Sequence, residues 1–212
     1  MILVYKRYLK RSVSFGQRAE IILSGMPNNT QWRNYYLSHA LVSDVWQNWC
    51  LFCREVVICS CAGSITRTGH QIPPRPSVNR WKRIAYEANQ ARKGKPLRPG
   101  CEISSMRQEP TWGDQSILLS AIPVLAPANS STLLSGFGLP VYAPKHIQVV
   151  RNSSAHTNSE TISGVRQILP LYTGTNFSHP LDILWWDEGN TRTPAIFFWL
   201  SELEMVATQV TS

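Results

Sequence analysis

TQWRNYYLSHALVSDVWQNWCLFCREVVICSCA, residues 30–62, is the stretch whose reading decides the fold. Trp32, Tyr35, Tyr36, His39, Val42, Trp46, Trp49, Cys50, Cys53 and Val57 recur in it at intervals of three and four. That period is the stripe of a helix with one buried face. Asn29 or Thr30 offers a side-chain oxygen for the N-cap, and Gly63 offers a stop. So long a helical pattern predicts an all-α protein.

Working outward, Gly63, Gly69, Pro73, Pro74 and Pro76 make residues 63–78 a loop. Arg67, His70 and Arg75 are expected to be exposed and mobile in it. A second helix is predicted from about Asn79 to Lys93, and a proline- and arginine-rich loop from Gly94 to Gly113. Asp114 caps a short helix that Pro123 and Pro127 should end near Ile122. Residues 130–137 suit another short helix. Pro144 suits the first turn of the next, anchored by Ile147, Val149 and Val150. Asn158 or Ser159 begins one that ends at Pro170, with Glu160 favouring its N-terminal dipole. Residues 195–209 complete the set with a broad apolar face able to cover the domain or a neighbouring subunit. His179, before a proline, reads as a loop histidine or as a second catalytic one. The expectation is a single domain, residues 1–212, built as a bundle of five to seven helices with long loops.

Residues 1–25 are basic and weakly patterned. Tyr5, Tyr8 and Phe15 lie among Lys6, Arg7, Lys10, Arg11 and Arg18, as in a base-stacking segment or a basic strand or arm packed on the domain.

A hydrophobic content of 43% with 16% charged residues describes a globular chain. The net charge of +8 is unevenly spread. Residues 1–106 hold 16 Lys and Arg against 5 Asp and Glu, whereas residues 107–212 hold 5 against 8. A basic N-terminal half facing a mildly acidic C-terminal half points to a polyanion, and nucleic acid is the expected partner. Arg67, Arg75, Arg80, Lys82, Arg83, Arg92 and Lys93 are the candidate RNA contacts. The N-terminal apolar run is short for a signal peptide, and no run is long enough to span a membrane. A cytoplasmic protein with no membrane association is therefore expected. An odd count of five cysteines suits reduced thiols. Cys50, Cys53, Cys59 and Cys61 fall on one helical run, without the turn that brings two zinc-ligand pairs together. They read as buried thiols, so no metal or other cofactor is expected. Gly-rich phosphate loops, H-E-x-x-H and G-x-S-x-G are missing from the sequence.

Chemistry concentrates at Arg151-Asn152-Ser153-Ser154-Ala155-His156. Arginine offers a permanently charged planar fork for phosphate, and histidine moves protons near neutral pH. On a continuous helix an offset of five puts their side chains about 140° apart around the axis. A helix that loosens at Ser153-Ser154 would bring them together. Arg33 and His39 repeat the pair with a looser spacing, but amid aromatics they read as the edge of the core.

These six residues resemble the R-N-x-x-x-H signature of HEPN-family proteins, small helical domains that include dimeric, metal-independent ribonucleases of toxin–antitoxin, abortive-infection and CRISPR-linked defence systems. The resemblance implies an all-α HEPN-like bundle and an endoribonuclease cleaving RNA by 2′-hydroxyl attack. It implies that Arg151 and His156 are the catalytic pair and Asn152 a polar third member. It also implies a homodimer, or a subunit of a larger complex, with an antitoxin or defence partner protein. The rival expectation is a non-catalytic RNA-binding, adaptor or dimerisation subunit.

Overall fold

The computed structural model describes residues 1–173, 177–187 and 193–212. Among them are eight α-helices: α1 Ile2–Gly25, α2 Gln31–Ala62, α3 Trp81–Arg92, α4 Gln115–Leu125, α5 Ser130–Phe137, α6 Ala143–Ala155, α7 Ser159–Ile168 and α8 Ala195–Val210. The only strand pair among the described residues is a small antiparallel hairpin, β1 Ser64–Ile65 with β2 Gln71–Ile72. The class is all-α, as expected. No helix of the described residues is long and apolar enough to cross a membrane.

The eighth helix is α1, where a basic strand or arm had been one expectation. Met1, Val4, Tyr8, Ser12, Phe15, Ala19 and Ile22 are buried at intervals of three and four. The stripe is hard to see in the sequence because Ser12 and Ala19 occupy two of its positions. Tyr8 and Phe15, buried, are closed to nucleic-acid bases. Around α2 the expected punctuation is present. Thr30 Oγ1 accepts the Arg33 N–H at 3.3 Å. Gly63, at φ +87°, turns the chain so tightly that an added Cβ would stand 2.9 Å from the Pro74 nitrogen. At the start of α2 the stripe fails, since Trp32 and Tyr36 are 73% and 62% exposed. Helix α4 runs through Pro123 to Leu125 instead of stopping at Ile122. A proline so near the C-terminus removes one intrahelical bond without breaking the helix.

The chain forms two compact units, each discontinuous in sequence. The first comprises residues 1–8, 49–140 and 205–212, the second 9–48 and 141–204. The charge change near residue 106 falls inside the first unit. Counted by unit, the asymmetry sharpens: 13 Lys and Arg against 5 Asp and Glu in the first, 8 against 8 in the second. The whole surplus of positive charge belongs to the first unit.

Trp49, Tyr8, Phe52 and Phe137 pack ring against ring in the first unit, and the Trp49 indole N–H donates to Gly113 O at 3.1 Å. A buried ion network ties its loops. Glu87 of α3 accepts from Arg75 Nη1 and Arg83 Nε, both at 2.6 Å. Arg75 donates further to Asn79 Oδ1, Leu125 O and Val78 O, and Arg83 to Arg98 O and Cys101 O. Cys53 and Cys61 are buried thiols. Burial raises both pKa values, that of Cys61 to about 11. Among the described residues no three of His, Cys, Asp and Glu gather in a way that could hold a metal ion.

In the second unit, α6 begins against α8: the Glu202 carboxylate accepts the Tyr142 and Ala143 N–H groups at 3.0 and 2.8 Å. His146 of α6 is buried at 4% exposure. Trp199 Nε1 donates to the Tyr172 hydroxyl, which also shares a hydrogen bond with His146 Nδ1. Burial, helped by the charge of Lys145, lowers the His146 pKa to about 4. The unfolded chain therefore binds a proton here that the folded chain refuses. Its contribution to stability is complete above about pH 6.5 and is lost as pH falls toward 4, by up to about 3 kcal/mol. Urea unfolding between pH 7.5 and 4.5 should show this slope, and His146→Asn should remove most of it.

Candidate functional site

Helix α6 carries Arg151 and Asn152 in its last turns. It continues unbroken through Ser153 and Ser154 to Ala155, with His156 as its C-cap. The loosening that would bring Arg151 and His156 to one face does not occur, and their side chains leave the axis about 140° apart. Arg151 Nη1 donates to Asn152 Oδ1 at 3.0 Å. Its Nε is buried and has no hydrogen-bond partner among the described residues. No carboxylate of those residues forms a salt bridge with Arg151. His156 is exposed, its backbone N–H donating to Asn152 O at 2.8 Å.

A different histidine reaches this helix. His39 Nδ1 lies 2.9 Å from Ser154 Oγ. Ser154 is three residues, under one turn, beyond Arg151. With the Ser154 hydroxyl donating to Arg151 O at 2.9 Å, its oxygen is left to accept from His39 Nδ1. The neutral His39 ring thus carries its proton on Nδ1 and keeps a lone pair on Nε2.

One turn back on the same face of α2, Tyr35 stacks on His179, with centroids 4.3 Å apart and planes at 27°. His179 Nδ1 accepts the Leu181 N–H at 3.1 Å. Its neutral ring therefore carries its proton on Nε2, opposite to His39. Asp182 Oδ2 fixes the turn, accepting from the Ser178 and His179 N–H groups at 2.9 and 2.8 Å. The His179 pKa is lowered, chiefly by burial; Asp182 works against this and the charge of His39 adds to it.

Beside them a cavity of about 460 Å³ is lined by Tyr35, Ser38, Asp182 and Trp185, among others. Trp185 Nε1 donates to Ser38 Oγ at 2.8 Å. On the outer side of α2, Trp32 and Tyr36 stack at 5.6 Å and 17°. With the exposed Arg33 they form an aromatic platform with a cation.

In the first unit the expected RNA contacts separate into two groups. Arg75, expected in an exposed loop, is buried and saturated by Glu87 and three backbone or side-chain acceptors, so it is not a contact. Arg83 is likewise committed to Glu87 and two carbonyls, its side chain 13% exposed. Arg67 is half-buried over the Tyr5 ring. Arg80, Arg92 and Lys93 are exposed, and Lys82 is half-exposed over Trp81. The sequence reading left out Lys95 and Arg98. With Lys93, Tyr86 and Gln90 they line a cavity of about 300 Å³ with no acidic residue in its wall. Their signal was the close spacing of cations at 93, 95 and 98. His39, read from the sequence with Arg33 as the edge of the core, is half-buried one turn from Tyr35 on the same helix face.

No protein-family model matches the chain, and no curated protein or solved structure is significantly similar to it.

Proposed function

We propose that the chain is a metal-independent endoribonuclease, of the kind that serves in toxin or antiphage defence systems. The observation that carries this reading is the stacking of His179 on Tyr35, one turn from His39 on the same face of α2, with His39 bonded to Ser154 on the helix that carries Arg151. His39 Nε2 takes the proton of a 2′-hydroxyl as its oxygen bonds to phosphorus. The neutral His179 donates Nε2–H to a phosphoryl oxygen, a role that suits an imidazole with a lowered pKa. Arg151, oriented by Asn152, balances the charge developing on the phosphate. The bond from phosphorus to the 5′ oxygen breaks, and the exposed His156 of a second copy returns a proton to that oxygen across a homodimer axis. The products are a 2′,3′-cyclic phosphate and a 5′-hydroxyl. The test is to incubate the protein with single-stranded RNA in excess chelator and map the ends. Cleavage that needs a divalent metal, or that leaves 5′-phosphate ends, defeats the reading.

The second reading is a non-catalytic RNA-binding or adaptor subunit, favoured by the concentration of charge in the first unit. Both readings place RNA phosphates at Lys93, Lys95 and Arg98. Neutralising all three to glutamine should reduce the slope of log affinity against log salt by about 2, at roughly 0.7 per phosphate contact on single strands. Titration at several salt concentrations measures it, and an unchanged slope removes this cavity from the RNA path.

A further inference from the structure

The aromatic cluster where α6 and α8 meet the residues after α7 has no part in the chemistry above. It borders an open cavity of about 280 Å³. Buried Tyr172 and Trp199 line its deep part, their rings at 83° with centroids 6.3 Å apart. Trp186 stands against Tyr172 at 87° and 5.1 Å. Tyr142, 56% exposed, lies nearly parallel to His146 at 19° and 5.3 Å. Phe198, 41% exposed, completes the rim. Edge-to-face pairs are the ordinary geometry of aromatic packing, and here the packed rings also border a cleft to which they offer apolar and π surface.

Among the described residues in the wall, the one charged group is a carboxylate. Glu202 lines the cavity, and its Oε2 is held in place by the Tyr142 and Ala143 N–H groups. His146, with its pKa lowered to about 4, is uncharged at neutral pH. Lys145, its neighbour in sequence, is not among the lining residues, and no other described lysine or arginine is. Aromatic faces and a fixed carboxylate attract a cation, and a desolvated cation over several rings gains most when its charge is spread over methyl groups. The volume lies just below the roughly 300–1,000 Å³ of sites for drug-sized ligands, which suits a small head group.

We infer that this cavity is a binding site for an organic cation bearing a trimethylammonium group. The probes are tetramethylammonium, choline, and the uncharged analogue of choline in which carbon replaces the quaternary nitrogen. They are titrated into the full chain by calorimetry, with tryptophan fluorescence as a second signal. Saturable binding of both cations is expected, with the uncharged analogue at least tenfold weaker, since cation–π attraction of about 1.4 kcal/mol gives that factor. Phe198→Ala, at the exposed rim, and Glu202→Gln, which keeps an acceptor for the two N–H groups, should each weaken choline about tenfold. A peptide carrying trimethyllysine distinguishes the source: tighter binding than choline assigns a methylated protein tail, weaker binding a free solute. Equal affinity for the uncharged analogue overturns the inference, because the cavity is then merely apolar. So does the lack of saturable binding of either cation to protein whose thermal melt is intact.

Discussion

In a single-turnover assay on single-stranded RNA, the His39→Ala protein is expected to cleave about 10²–10⁴-fold more slowly than the parent, the usual contribution of a positioned general base. Its affinity for RNA should stay within a few-fold, because the exposed cations lie elsewhere in the chain. His39 is half-buried and, among the described residues, makes one side-chain hydrogen bond, to Ser154, so unfolding curves should move little. His156→Ala should show a comparable loss if it protonates the departing oxygen. Arg151→Lys should fail too, since a point charge does not replace a two-pronged grip on phosphate. Cleavage at the parental rate by His39→Ala would sink the assignment. A silent His156→Ala beside an inactive His39→Ala would strip the Arg151–His156 spacing of catalytic meaning while leaving the α2 face intact.

Glu87→Ala is expected to destabilise the first unit by about 3–5 kcal/mol, the usual result of removing one partner from a buried charge pair. The alanine would strand Arg75, whose side chain is 2% exposed, and deprive Arg83 of its carboxylate. The loops that these arginines hold, at Val78 and at Arg98–Cys101, would lose their anchor. Glu87→Gln keeps an acceptor without the charge and should fall between alanine and the parent. The comparison is Arg7→Ala, which breaks the pair with Glu55 where the arginine is 66% exposed. That change should cost about 0–1 kcal/mol. Urea midpoints measure all three, and a Glu87→Ala protein as stable as Arg7→Ala would show that the network carries no net weight.

Much of the backbone was legible because its signals are local. Thr30 and Gly63 bound α2, Asp114 caps α4 at 2.9 Å, and Asn158 with Thr161 forms a capping box on α7. Helix α1 was missed because its stripe is built partly from serine and alanine, which carry no hydrophobic signal. Burial was less legible than helicity. Trp32 and Tyr36 fit the stripe by type and spacing yet face solvent, while Arg75 looked like a loop cation and is buried. Nothing local tells an arginine that it will meet a glutamate twelve residues on. The candidate site failed in the same way. Arg151 and Asn152 were visible as a six-residue motif, but the histidine that reaches the motif helix is His39, more than a hundred residues earlier. Only tertiary structure joins them.

The composition of the first unit bears on how the chain matures during synthesis. Within it, residues 1–8 are made before residues 49–140, and residues 205–212 after them. The Met1 nitrogen bonds Ile65 O at 2.8 Å, and Arg67 N–H bonds Thr211 O at 2.6 Å. Tyr5 bonds Thr208 at 2.9 Å. Contacts between residues so far apart in the chain form slowly and only after the intervening chain exists. On the ribosome, the basic unit therefore stays incomplete until residues 205–212 emerge, whereas every residue of the charge-balanced unit has already been made. A nascent chain stalled before residue 205 would show its cationic segments without their finished packing, prone to capture by the messenger and ribosomal RNA around them.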